Sequence, residues 1–165
     1  MDKRSSKTIL KIYRGFALAL EEKNYTAVTS LDIIRNAGIS PSGFYAHFKS
    51  KRDVLQGLLA KLFLTVKIKN GFALESHLTL LFFRIDNDKE LWQSIVSKKE
   101  NAIALGSFLA PWCVSFLPKA KEKEAAKLAS SLLSNALLLY MKGSCKTVEE
   151  MAKLLAAPLS TLLST

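Results

Sequence analysis

Histidine and cysteine are scarce in this chain: its 165 residues hold only His47 and His77, Cys113 and Cys145. Two cysteines are too few for a disulfide framework, and both lie in apolar helical contexts, so reduced buried thiols in a cytoplasmic protein are expected. Metal-ligand spacings such as HExxH or CxxC, phosphate loops and paired-carboxylate motifs are lacking. No metal or cofactor is therefore expected, and an enzyme of the Cys/His hydrolase type would have only a Cys113–His77 pair to stand on. Strand signals are weak, whereas apolar residues at steps of three and four recur from end to end, which predicts an all-α fold. A secretory leader is not expected, because the start, MDKRSSKTIL, is charged and leads into an amphipathic helix. Nor is a membrane span: the longest apolar run, 102–117, is interrupted by Gly106, Ser107, Pro111 and Ser115.

What is abundant is positive charge. The chain carries 24 Lys+Arg against 14 Asp+Glu, with 49% hydrophobic residues to fill a core. Residues 1–60 hold 10 of the basic and 5 of the acidic side chains, so the charge is denser at the N-terminal end. Such a surface attracts a phosphate backbone, although a membrane surface or simple solubility would use it equally well.

The stretch from Thr29 to Lys51, TSLDIIRNAGISPSGFYAHFKSK, narrows the choice. Thr29 can cap a helix whose Leu31, Ile34 and Ala37 fall three residues apart on one face. Gly38 stands where the chain must turn through the left-handed region, Ile39 supplies an apolar plug, and Ser40-Pro41 is a cap followed by proline at the first helical position. On the second helix Phe44 and Phe48 can face the core, leaving Ser42, Gly43, Tyr45 and His47 exposed. Small residues at the start of that helix let it enter a major groove closely, so the unit reads as a helix-turn-helix.

With those residues in view, the stretch resembles the DNA-binding domain of TetR-type transcriptional regulators. The ordered positions are Thr29, Ile33, Ala37-Gly38-Ile39-Ser40, Tyr45, Phe48 and Ser50-Lys51, and the likeness runs from about Lys7 to Leu59. Two positions depart from the pattern: Asn24 stands where glycine is common, as a second-best left-handed cap, and Ile34 replaces a small alanine and is expected to splay the two short helices slightly. The resemblance implies that Thr29, Tyr45 and Lys51 meet backbone phosphates and that Ser40, Ser42, Gly43 and His47 lie at or near the groove, the first set giving affinity and the second specificity. It also implies two domains: a helix-turn-helix domain over 1–50, and a helical ligand-binding and dimerisation domain over 51–165 that opens with a connecting helix, 51–69.

Physical patterning fills in the rest. A first helix is expected over Ser6–Lys23, burying Ile9, Tyr13, Phe16, Ala17 and Leu20. The connecting helix starts at Ser50, which can form a capping box with Asp53, and carries Val54, Leu55, Leu58, Leu59, Leu62 and Phe63 inward. A buried helix is expected from Phe72 to Arg84, with further apolar segments broken by Pro111 and Pro118. Phe72, Phe82, Phe83, Trp92, Phe108, Trp112 and Phe116 are candidates to line a pocket for an apolar or aromatic effector, with plain core packing as the alternative. Two C-terminal helices follow, the first ended by Gly143 and the second begun by a Thr147–Glu150 capping box and kinked at Pro158. Because the first of them has two apolar faces, the pair is expected to form a homodimer interface. The expected function is a ligand-responsive homodimeric repressor on a palindromic site in double-stranded DNA; a helical ligand-binding or interaction protein without DNA binding is the alternative.

Overall fold

The structure is a computed structural model, and it describes residues 3–64, 74–116 and 123–164; within these the side chains of residues 3, 4, 64, 112, 114–116, 123, 124, 163 and 164 are not described. Among the described residues every regular element is helical: α1 (Lys3–Glu22), α2 (Ser30–Ala37), α3 (Pro41–Tyr45), α4 (Lys51–Leu64), α5 (Leu74–Asn87), α6 (Lys89–Ile95), α7 (Lys99–Phe116), α8 (Lys123–Met141) and α9 (Val148–Ser164). The expected pocket residue Phe72 and residues 65–69 of the expected connecting helix lie outside the described residues.

The helix ends follow local chemistry. Thr29 caps α2 through its side chain, and Gly38 ends it in the left-handed region at φ 60°. Ser40 accepts a hydrogen bond from the Gly43 N–H at 3.1 Å to open α3. Ser50 caps α4 by accepting from the Asp53 N–H at 3.2 Å, and the Asp53 carboxylate answers by accepting from the Lys49 N–H. Gly143, at φ 79°, closes α8, and Thr147 accepts from the Glu150 N–H to start α9.

One core runs through both halves. Ile12, Tyr13, Phe16, Ala17 and Leu20 of α1 pack with Ile33, Ile34 and Phe44 and with Val54 to Leu59 of α4, and the same cluster continues into α5, α7, α8 and α9. Helices α1 and α2 approach closely at Gly15. A Cβ placed there would meet Ala37 N at 2.6 Å, Ala37 Cβ at 2.7 Å and Ile33 O at 2.7 Å. That contact sets how α2, and with it α3, sits on α1.

Several expectations need correction. Leu31 is 68% exposed, and the buried side of α2 is Asp32, Ile33 and Ile34. The reason is that α1 covers the flank one residue further along. Asn24 is not left-handed, since no non-glycine residue among those described has positive φ. Its side chain instead accepts from the Thr26 hydroxyl at 2.8 Å and the Ala27 N–H at 3.2 Å, building a side-chain turn after α1. The α3 helix is only five residues long, ending at Tyr45, so His47 lies in the following turn. Pro111 does not break the chain, because α7 runs through it. Pro111 is exposed, so the carbonyl one turn back that loses its partner can be hydrated.

Candidate nucleic-acid interface

The α2–turn–α3 unit presents its small residues outward. Ser40, Pro41 and Ser42 are exposed, Gly43 is half-buried, and Phe44 behind them is fully buried and anchors the helix. Tyr45 is 54% exposed, standing edge-on to the Phe44 ring at 5.3 Å, and His47 is half-buried beside it. An ideal Cβ at Gly43 would meet only Ser40 Oγ, at 3.2 Å. A side chain there would press on the Ser40 hydroxyl that caps α3, so glycine keeps the cap undisturbed and this end of the helix slim.

Thr29 is placed by a buried carboxylate. The Asp32 carboxylate accepts from the Thr29 N–H at 2.9 Å and the Thr29 hydroxyl at 2.8 Å, while the Thr29 oxygen accepts from the Asp32 N–H. Lys23 pairs with Asp32 at 2.7 Å, and Arg35 reaches Asp32 at 3.3 Å and Glu22 at 3.5 Å. The Lys23 hydrogen bond foremost, then the two Thr29 donors, hold the Asp32 carboxyl below the usual carboxylate range. The spacing Thr29-x-x-Asp32 carries the signal of this capping box in the sequence; nothing local marks Lys23 as its partner.

Lys51 lies deeper than a surface cation. Its ammonium donates to the backbone carbonyls of Tyr25 at 2.7 Å, Thr26 at 2.9 Å and Val28 at 2.7 Å, and sits 4.9 Å from the centre of the Tyr25 ring. Burial pushes its pKa down. The lysine side chain therefore ties the first turn of α4 to the loop that joins α1 to α2.

The same loop is gripped from the C-terminal half. The Tyr25 N–H donates to Asn101 Oδ1 at 2.7 Å, and Asn101 Nδ2 donates back to the Leu20 carbonyl at 3.2 Å. Lys98 caps the end of α1 by donating to Leu20 O at 3.2 Å and Glu21 O at 2.6 Å, and the Ser94 hydroxyl donates to Glu21. Lys98 and Asn101 thus satisfy carbonyls that every helix C-terminus leaves open, while Ser94 bonds the Glu21 carboxylate. Above them the Tyr25 and Phe108 rings meet edge to face at 5.6 Å, with the Arg52 guanidinium 5.5 Å from the Phe108 ring centre. Sequence spacing gave no sign of this seam.

The aromatic residues proposed for a pocket part company. Phe82 and Trp92 line an enclosed apolar cavity with Leu59, Phe63, Leu109 and Leu133. Phe83 is 53% exposed on the outer face of α5, and Phe108 belongs to the seam with Tyr25. The side chains of Trp112 and Phe116 lie outside the described residues. The cavity is small, about 20 Å³, which is room for one water and not for a drug-sized molecule. A second depression, an open groove of about 680 Å³, lies between α1 and the α5–α6 junction. Cys113 offers no nucleophile, since burial pushes its thiol up to about 12.

A capped short helix, a left-handed glycine turn and a second short helix with its outer face free define the helix-turn-helix class of DNA-binding proteins. Residues 18–58 match the bacterial regulatory proteins of the TetR family. The N-terminal segment thus matches a TetR-family DNA-binding domain over residues 18–58. In fold the whole chain is similar to a TetR transcriptional regulator from Streptococcus agalactiae 2603V, 21% identical, with a TM-score of 0.55 and 96% of each chain covered. It is also similar to a protein assigned to the TetR-family transcriptional regulators from Syntrophomonas wolfei str. Goettingen, 17% identical, with a TM-score of 0.54 over 97% of this chain and 96% of that one. No curated protein matches the chain. Among the described residues no helix is long and apolar enough to cross a membrane.

Proposed function

We propose that the protein is a cytoplasmic, homodimeric repressor that binds a palindromic operator and is released or retained by a small apolar or aromatic molecule. The observation that carries the DNA half is the open entry Ser40-Pro41-Ser42-Gly43, with Tyr45 exposed at the end of α3, His47 half-buried in the turn after it and Phe44 buried behind. Side chains at such an entry read base edges, while Tyr45 at its margin favours phosphates.

Dimerisation is supported by apolar side chains left in solvent on the two C-terminal helices. Leu128 and Leu139 of α8 and Leu154 of α9 are each at least half exposed, and the smaller Ser131, Asn135 and Ala157 on the same two helices are exposed too. Small residues flanking large apolar ones allow two helix pairs to approach closely about a two-fold axis. That axis would set two α3 helices on one face of the duplex.

Effector binding is supported by the composition of the enclosed cavity, which takes walls from α4, α5, α6, α7 and α8 at once. A planar apolar molecule entering it must widen it, because the present volume is one water. Widening displaces Leu59 and Phe63 of α4, whose other end bears Lys51 and the loop to α2.

Selection from random DNA tests the reading. A palindromic site should emerge, and Tyr45→Ala should weaken binding to it by roughly tenfold or more. Absence of any enriched site at moderate salt, together with unchanged nonspecific binding in Tyr45→Ala, refutes it.

A further inference from the structure

The TetR resemblance hands Lys51 to a DNA phosphate, but an ammonium has only three N–H donors, and here three backbone carbonyls lie within 2.7 to 2.9 Å of it. For Lys51 to reach a phosphate it would have to abandon at least one of those carbonyls and leave the Tyr25 ring. Thr29 is similarly committed, since both its N–H and its hydroxyl donate to Asp32. The exposed donors at this margin are therefore of another kind. Lys49 lies between the half-buried Phe48 and Ser50 with its side chain in solvent; only its backbone N–H is used, by Asp53. Tyr45, exposed on α3, stands before it in the same stretch of chain.

We propose that Lys49, not Lys51, is the cation that meets a DNA phosphate beside Tyr45, and that Lys51 is a positioning residue which holds the loop 25–28 and so fixes where Thr29 and α2 begin. The inference rests on the DNA-binding reading and divides its labour. Affinity at this edge comes from a side chain that is free to pair with a phosphate. Register comes from one whose donors are already spent within the protein. The lowered pKa of Lys51 agrees with its burial among these groups.

Salt dependence separates the two roles, because each phosphate neutralised contributes about 0.9 to the slope of log affinity against log salt. On a mixed-sequence DNA duplex, Lys49→Ala should shallow the slope by about that amount with an unchanged melting temperature. Lys51→Met should lower the melting temperature and speed amide exchange at 25–28. Since that variant could also fold poorly, the wild-type protein supplies the second measurement: nitrogen NMR of its lysine ammonium groups. The Lys51 signal should be present in the free protein, protected from exchange, and keep its position when duplex is added; the Lys49 signal should shift and show coupling to phosphorus. A phosphorus coupling at Lys51, or a slope unaltered in Lys49→Ala while wild type retains its steep slope, overturns the assignment. If wild type itself binds duplex with no salt dependence, the DNA-binding reading falls and takes this one with it.

Discussion

Replacing Gly15 by alanine isolates the contact that seats the recognition unit. Two opposing terms act. Alanine is the better helix former by about 1 kcal/mol, so in an open helix the change would stabilise. At Gly15 the new methyl group would lie 2.6 Å from Ala37 N, 2.7 Å from Ile33 O and 2.7 Å from Ala37 Cβ. Two of those atoms are backbone of α2 and cannot rotate aside. Ordinary carbon contact is about 3.5 Å, so α2 must retreat by most of an ångström. Overpacking of this kind costs about 1–3 kcal/mol, which leaves a net loss of up to about 2 kcal/mol and, for a chain of this size, a melting temperature lower by up to roughly 8 °C. Because α2 carries α3 through the Gly38 turn, the same retreat misplaces Ser42 and Tyr45, and DNA affinity should fall by more than the stability change alone would cause. Thermal denaturation and duplex titration on Gly15→Ala measure both. Gly57→Ala is the control: its methyl would meet the Phe48 ring edge at 2.9 Å and the Tyr13 hydroxyl at 3.0 Å, both at the ends of side chains that can shift. A Gly15→Ala protein that melts higher than wild type and binds DNA unchanged would refute the close approach.

Asp32 should make the fold acid-sensitive. Its folded pKa is depressed by Lys23 and Thr29, so the stabilisation is present above the unfolded carboxylate value of about 3.9 and is lost as pH falls below it toward the folded value. Urea midpoints at pH 7 and pH 3 should differ less in Asp32→Asn than in wild type; an equal drop in both proteins would remove Asp32 as the cause. Burial raises the pKa of both Cys113 and Cys145, so neither thiol should react with a disulfide reagent at pH 8 until the protein is unfolded. Rapid labelling of the native protein would contradict the packing around α7 and α8. Leu139→Glu with Leu154→Glu should yield a folded monomer by light scattering with operator affinity reduced roughly a hundredfold; a dimer that survives both changes places the interface elsewhere.

What the sequence made readable was what is local. The Thr29, Ser40, Ser50 and Thr147 caps and the Gly38 and Gly143 ends each depend on residues within one turn, and all form as their spacing implies. The missed features are those whose partners lie far along the chain. Lys51 finds its carbonyls 23 to 26 residues away, and Asn101 finds Leu20 at a separation of 81. Periodicity also fails in short helices, where one turn decides the buried face: Leu31 belongs to the apolar spacing of α2 yet faces solvent. Phe82 and Phe83 show the same limit, since neighbouring aromatics on one helix point in different directions and only the packed structure says which is in the cavity.

The capping of α1 by Lys98 and Asn101 bears on modularity. Regulators built from a reading head and a sensing body invite chimeras in which one head is grafted onto another body. In this chain the last carbonyls of α1 and the Tyr25 N–H find their partners on Lys98, just before α7, and on Asn101 in its first turn. A graft cut after α4 would expose those groups and loosen the loop that Lys51 must hold. A working hybrid would have to import α6 and the first turns of α7 with the head, which moves the natural seam for recombination well inside what looks like the sensing half.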